Sequence, residues 1–207
     1  MSGGAGPYAP LLLMWLAMTG VMMAPVVWPW LRALSRIAEE GALAAVGPFP
    51  AVGSFAAGYA VAWAGFSAAL AGFHLALSRM SVPVPFGLEA PVHSAAALWL
   101  AGGFQFTRLK EACLSHCRSP AGFLLSHWRS GPAGHARLGF GHGLHCVGCC
   151  WALMALALVV GMINLVWMGL LMAVMVAETT LPAGARLRKP VGALLFAAGL
   201  AVLVVAH

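Results

Sequence analysis

Charge is what this chain has least of. Lys, Arg, Asp and Glu make up 8% of its 207 residues, and only five are acidic. A soluble domain carries about 25% charged residues, so a water-facing surface cannot be assembled from this composition and the lipid bilayer becomes the expected solvent. The scarcity of acids also leaves no paired carboxylates for acid–base catalysis. We find no Ser–His–Asp set and no phosphate loop, so an enzyme is the weakest functional class. The formal net charge of +6 comes from basic residues scattered between apolar runs, which suits orientation in a membrane and contact with anionic headgroups rather than nucleic-acid binding. Cysteine is missing from most of the chain, and all five copies lie within residues 113–150. The start, Met1 to Pro10, lacks the basic residues and cleavage site of a secretory signal, so the first apolar run is expected to be retained.

Hydrophobic residues make up 62% of the chain. They form continuous runs near the ~20 residues that cross a bilayer, without the alternation of a β-barrel. The backbone must satisfy itself in lipid, so these runs are expected to be helices. The fold class is therefore all-α: a polytopic helical membrane protein of one domain. Its spans are expected at about 10–31, 51–77, 92–107, 145–177 and 190–206, with a Cys/His-rich connector over 108–150. The run 145–177 is long for one span. We read it as one tilted helix, because no Pro, charge or polar cluster marks a turn. The alternative is two short spans folded back near Gly161 and Asn164, six in all. One helix divides the basic residues seven to four between the two sides. Two spans divide them ten to one, which fits the positive-inside rule better. The connector, with Arg108, Lys110, Arg118, Arg129 and Arg137, is placed on the cytoplasmic side. Within it, residues 123–128 read as a short amphipathic piece at the headgroups.

Smaller features have their own readings. Gly58, Gly65 and Gly72 recur every seven residues and predict a face for close helix approach. Met14, Met18 and Met22 form a stripe that serves either as core filler or as a thioether track for a soft ion. His74 and His93 are read as boundary residues, with haem or pigment ligation as the alternative. Asn164, in an apolar run, needs a partner, expected on a neighbouring helix. Glu178 is read as an interfacial cap, and as a functional group if buried.

The connector carries the chemistry. Cys113, His116 and Cys117 share a helix face, as do His142, Cys146, Cys149 and Cys150, although Gly141, Gly143 and Gly148 argue for partly looped backbone. The C-x3-C and C-x2-C spacings suit a thiolate-rich metal site, and Cys/His sets with nearby methionines suit Cu(I) as well as Zn(II). Redox pairing, disulfides or plain packing are the competing readings. Covalent c-type haem is excluded, since Cys150 stands where C-x-x-C-H requires His.

Several of these runs resemble a known family. They are Gln105-x-Thr107-x-Leu109-Lys110-x2-Cys113-x3-Cys117-Arg118-Ser119-Pro120, then Gly141-His142-Gly143-x2-Cys146-x-Gly148-Cys149-Cys150-Trp151, then Gly161-Met162-x-Asn164-Leu165-x-Trp167-Met168, with Trp15-x2-Met18-x3-Met22-Met23-x-Pro25 near the start. The family is the bacterial one described as predicted metal-binding integral membrane proteins, a domain of unknown function. Arg108 stands where that family tends to have Pro. The resemblance implies a bacterial inner-membrane protein with metal ligands at Cys113, Cys117, His142, Cys146, Cys149 and Cys150. Proximity alone adds His116, His145, Met18 and Met22. Two functions follow as expectations: a factor that handles Cu(I) or Zn(II), or an accessory subunit packed against other membrane protein subunits.

Overall fold

The computed structural model describes residues 7–40, 49–80, 91–160 and 164–206. The segment before Pro7, the connectors 41–48 and 81–90, residues 161–163 (Gly161 and Met162 among them) and the terminal His207 lie outside them. Among the described residues there are nine helices and no strand: α1 Tyr8–Glu40, α2 Phe49–Arg79, α3 Pro91–Gln105, α4 Arg108–Cys117, α5 Pro120–Ser126, α6 Pro132–Ala155, α7 Ala157–Val160, α8 Leu165–Thr180 and α9 Gly184–Val205. The all-helical expectation holds. Four helices (α1, α2, α6 and α9) are long and apolar enough to cross a membrane, and α8 is a shorter apolar helix.

Three boundaries differ from the sequence reading. The first helix continues past Leu31 to Glu40, with Pro25 and Pro29 inside it. The expected connector 108–150 is largely helical: α4 and α5 fill its first part, and α6 runs unbroken through Gly141, Gly143 and Gly148. The third difference is the run 145–177, which is divided. Helix α6 ends at Ala155 and α8 starts at Leu165. Helix α8 opens at Asn164, whose side-chain oxygen accepts from the Trp167 backbone N–H at 3.3 Å as an N-cap. Its partner is thus in its own helix rather than a neighbouring one, because capping satisfies a free N–H of the first turn.

Contacts between helices fix their directions. Tyr8 bonds Ala68, Thr19 bonds Ser67 and Trp30 stacks on Phe55, so α1 and α2 run antiparallel. Gly139 lies on Phe55 and Gly143 on Ala62, so α2 and α6 run parallel. Gly102 meets Gly192 and Trp99 meets Gly199, so α3 and α9 run antiparallel. The C-terminal ends of α1, α3 and α8 therefore gather with the N-terminal ends of α2, α6 and α9, and α4 and α5 lie at that end. Ten of the eleven basic residues belong to these ends and connectors, and Arg79, at the end of α2, stands apart. The α2–α6 contact is the closest. A Cβ on Gly58 would collide with the Ala136 carbonyl, and one on Gly139 with the Phe55 carbonyl. Gly65 and Gly72 meet nothing within 4 Å, so only the first of the three spaced glycines is used this way among the described contacts.

Candidate metal centre

The short polar helix α4 starts where Thr107 caps it, accepting from the Lys110 backbone N–H at 3.2 Å. It lies against α6 so that its inner face, Lys110, Leu114 and Cys117, is buried. On α6 the residues His142, Cys146, Cys149 and Cys150 form the facing buried stripe, as the i, i+4, i+7, i+8 spacing predicts. The outcome is a trio. The thiols of Cys117, Cys146 and Cys149 all lie within 4.8 Å of one another, each buried. The Sγ atoms of Cys117 and Cys149 are 3.7 Å apart. Three sulfurs bound to one ion at about 2.3 Å sit about 4 Å from each other, so a small closure suffices to hold a metal. All five cysteines are free thiols, so the disulfide reading receives no support from the geometry.

The other expected residues take different places. Cys150 is buried and its Sγ donates to the Cys146 carbonyl at 2.8 Å, outside the trio. Cys113 is half-buried, its sulfur lying over Gly148, where an added Cβ would come within 2.7 Å of it. Burial, then the neighbouring Cys149, pushes the Cys113 thiol up. The Cys117 thiol is pushed well up by its hydrogen bonds to Cys146 and Cys149 and by burial. Metal binding must therefore displace protons. His142 is not in the 4.8 Å set. Its ring is held in an aromatic stack, 3.6 Å from Trp30, 5.5 Å from Tyr59 and 5.9 Å from Phe55 between centroids, and its Nε2 is buried without a hydrogen-bond partner. A buried polar atom left free in this way calls for an explanation, and a ligand role supplies one. His116 and His145 meet each other on the outer side of α4 and α6. Met18 and Met22 belong to the same apolar core as the cysteines. His74 and His93 sit on α2 and α3, near the ends of those helices remote from α4.

Of the residues around the trio, the sequence singles out only Glu178, as a functional group if buried; the others carry no site signal in the sequence. Met23 and Met175 line one buried pocket with Cys146, Cys149, Cys150 and Glu178. Met23 stood beside the methionine stripe, but Met175 arrives from a distant helix. The Trp30 indole N–H donates to the Cys117 carbonyl at 3.2 Å, and the Tyr59 hydroxyl lies 3.4 Å from the Cys146 sulfur. Glu178 is not an interfacial cap. It is 2% exposed and forms a 2.6 Å ion pair with Lys110, itself wholly buried. Its backbone carbonyl accepts from Arg118 at 2.7 Å. The C-terminal end of α8 is thereby fastened to α4, beside the cysteines.

The geometry can now be set beside known proteins. One family model matches residues 12–202, nearly the whole chain: the PpoB2 family, described as a copper chaperone. The chain belongs to the PpoB2 copper chaperone family. That agrees with the metal-related family expected from the cysteine and histidine runs, and the thiol trio is compatible with metal binding in such a family. No curated protein matches the chain, and no solved structure does.

The Tyr59 contact yields a prediction. A hydroxyl beside a ligating sulfur stabilises its thiolate by donating to it. Tyr59→Phe should weaken metal binding about 10-fold or more, the usual cost of removing such a supporting group, measured by competition against a Cu(I) chelator. Unchanged affinity would remove Tyr59 from the site.

Proposed function

We propose that this chain is a membrane-embedded copper chaperone that carries one Cu(I) ion as cargo at Cys117, Cys146 and Cys149. The observation that carries the reading is the buried thiol trio flanked by the thioethers of Met23 and Met175. Thiolate and thioether together favour Cu(I), whereas zinc sites draw on Cys, His and carboxylate and take four ligands. Cys150, Cys113 and His142 stand next to the trio as further donors, through which the ion can be passed on by exchanging one sulfur at a time. Lys110 offsets the charge of Glu178, so that the carboxylate does not oppose the thiolates across the shared pocket.

The division at Asn164 supports six crossings, by α1, α2, α3, α6, α8 and α9. Helices α3 and α8, with 15 and 16 residues, are short for ~30 Å of hydrocarbon and suit local thinning. Ten of the eleven basic residues then fall on one side, which the positive-inside rule makes cytoplasmic. The trio lies near that side, where α4 covers it. The accessory-subunit reading draws on an apolar lateral groove of about 600 Å³ lined by Phe73, Trp99, Leu100, Phe104 and Trp151, a surface suited to a neighbouring apolar helix.

The test is the metal content of the detergent-purified protein after reduction, Cu(I) loading and desalting. Wild type should retain about one copper per chain against excess Zn(II), as expected of a soft donor set. The Cys117→Ser/Cys146→Ser/Cys149→Ser variant should retain none. Equal copper in the two proteins, or preferential retention of zinc, would overturn the proposal.

A further inference from the structure

Cys117 and Cys146 turn inward from α4 and α6. The residue before each is a histidine. Consecutive helix positions lie 100° apart around the axis, so His116 and His145 turn away from the trio onto the outer side. There they meet: the two rings are stacked, 4.3 Å between centroids and 15° between planes. Each ring directs Nδ1 at a backbone carbonyl one turn earlier, Ala112 at 3.4 Å for His116 and Gly141 at 2.8 Å for His145. A carbonyl only accepts, so Nδ1 carries the proton and Nε2 keeps its lone pair. That tautomer leaves each Nε2 able to ligate, but in the stack the two in-plane lone pairs lie in near-parallel planes, so one ion reaches both only when a ring turns out of the stack. Phe123 of α5 packs edge-on against both rings, at 5.8 Å and 6.1 Å. Beside it His127, 4.6 Å from Phe123, also has its Nδ1 engaged, by Phe123 carbonyl at 3.2 Å and Ser126 Oγ at 2.8 Å. A groove of about 240 Å³, lined by Ser115, His116, Ser119, Phe123, Ser126 and His127, opens this corner to the exterior. His116 and His127 are exposed, His145 is half-buried, and the trio is buried.

We propose that His116 and His145 form a separate, outer Cu(I) position, at which the ion is captured before it passes inward to Cys117 and Cys146. This rests on the copper reading of the trio. Each imidazole is one residue, about 3.8 Å along the backbone, from a trio cysteine, so the handover is a local ligand exchange. Copper stays Cu(I) and no electron moves. The two Cu–N bonds break, Cu–S bonds form, and each thiol that becomes a thiolate releases its proton to water. Imidazole binds Cu(I) less tightly than thiolate, so the transfer runs inward, and capture next to the trio turns the second binding step into an intramolecular one.

The test uses full-length protein in detergent and two measurements. The first is the stopped-flow rate of copper uptake from a coloured Cu(I)–chelator complex. His116→Phe/His145→Phe keeps a stacked aromatic pair while removing both nitrogens. It should reach the same final copper content as wild type, but roughly tenfold or more slowly. The second is X-ray absorption at the copper edge, without desalting, on Cys117→Ser/Cys146→Ser/Cys149→Ser protein given Cu(I) as its acetonitrile complex. Imidazole ligation, told from nitrile nitrogen by the outer-shell scattering of its ring, should appear there and vanish when the two histidines are also replaced by Phe. This measurement reads the histidine pair by itself, whatever the trio does. An uptake rate equal to wild type, or copper in the serine variant with no histidine-dependent nitrogen, would overturn the proposal. Loss of tight copper from wild type would instead fall on the trio.

Discussion

Lys110→Met is expected to cost about 3–5 kcal/mol of folding stability, the usual penalty for leaving one member of a buried ion pair alone. Lys110 is completely buried and its Nζ lies 2.6 Å from Glu178 Oε2, whose side chain is 3% exposed. The other carboxylate oxygen, Oε1, has no hydrogen-bond partner, so Lys110 is the group that compensates this charge. The double variant Lys110→Met/Glu178→Leu should recover most of the loss, because removing both charges also removes their desolvation cost. Thermal unfolding in detergent, compared across the two single variants and the double, measures the coupling. Additive effects would show that the pair is not coupled. Since Glu178 lines a pocket with Cys146 and Cys149, Lys110→Met should also weaken Cu(I) binding, as an unopposed carboxylate disfavours thiolate beside it.

Gly139→Val is the second large effect. The Cβ of any residue other than glycine would run into the Phe55 carbonyl of α2, a backbone atom that cannot turn aside. Overpacking of this sort costs at least about 1–3 kcal/mol. Here it also separates α6 from α2, with Gly58 against Ala136 on the reverse side of the same contact. Because Phe55 and Tyr59 of α2 hold the His142 ring, the damage should reach the site: loss of folded protein in detergent, and weaker copper retention in what remains. Gly141→Val is the control, since an added Cβ there meets nothing within 4 Å. Equal behaviour of the two variants would contradict the packing assigned to α2 and α6.

Much of the site could be read from the chain because its spacing is local. His142, Cys146 and Cys149 fall on one face by helical period alone, and the C-x3-C pair supplied the facing half. Two kinds of information were not local. Met175, Glu178 and Tyr59 reach the cysteines from helices that sequence order does not place beside them; of the three only Glu178 stood out in the sequence, read as an interfacial cap or, if buried, as a functional group. Proximity along the chain grouped His116 and His145, which meet outside, with the cysteines next to them, which meet inside. In the fold, the break at Asn164 was hidden for a different reason. A lone Asn in an apolar run signals an N-cap only when the chain before it has already stopped being helical, and no Pro or polar cluster advertised that stop. The ten-to-one division of the basic residues in the two-span alternative was the one feature that pointed to a break in this run. Glycines misled in α6 because the same residue type serves loops and close helix contacts. Gly139 and Gly143 serve the contact.

The account depends most on three sulfurs from two helices converging on one copper ion. X-ray absorption of the Cu(I)-loaded, desalted wild-type protein tests this directly. The account predicts a first shell of about three sulfur neighbours, with at least two of them lost in Cys146→Ser/Cys149→Ser. A shell dominated by nitrogen or oxygen, or one that survives that substitution unchanged, would contradict it.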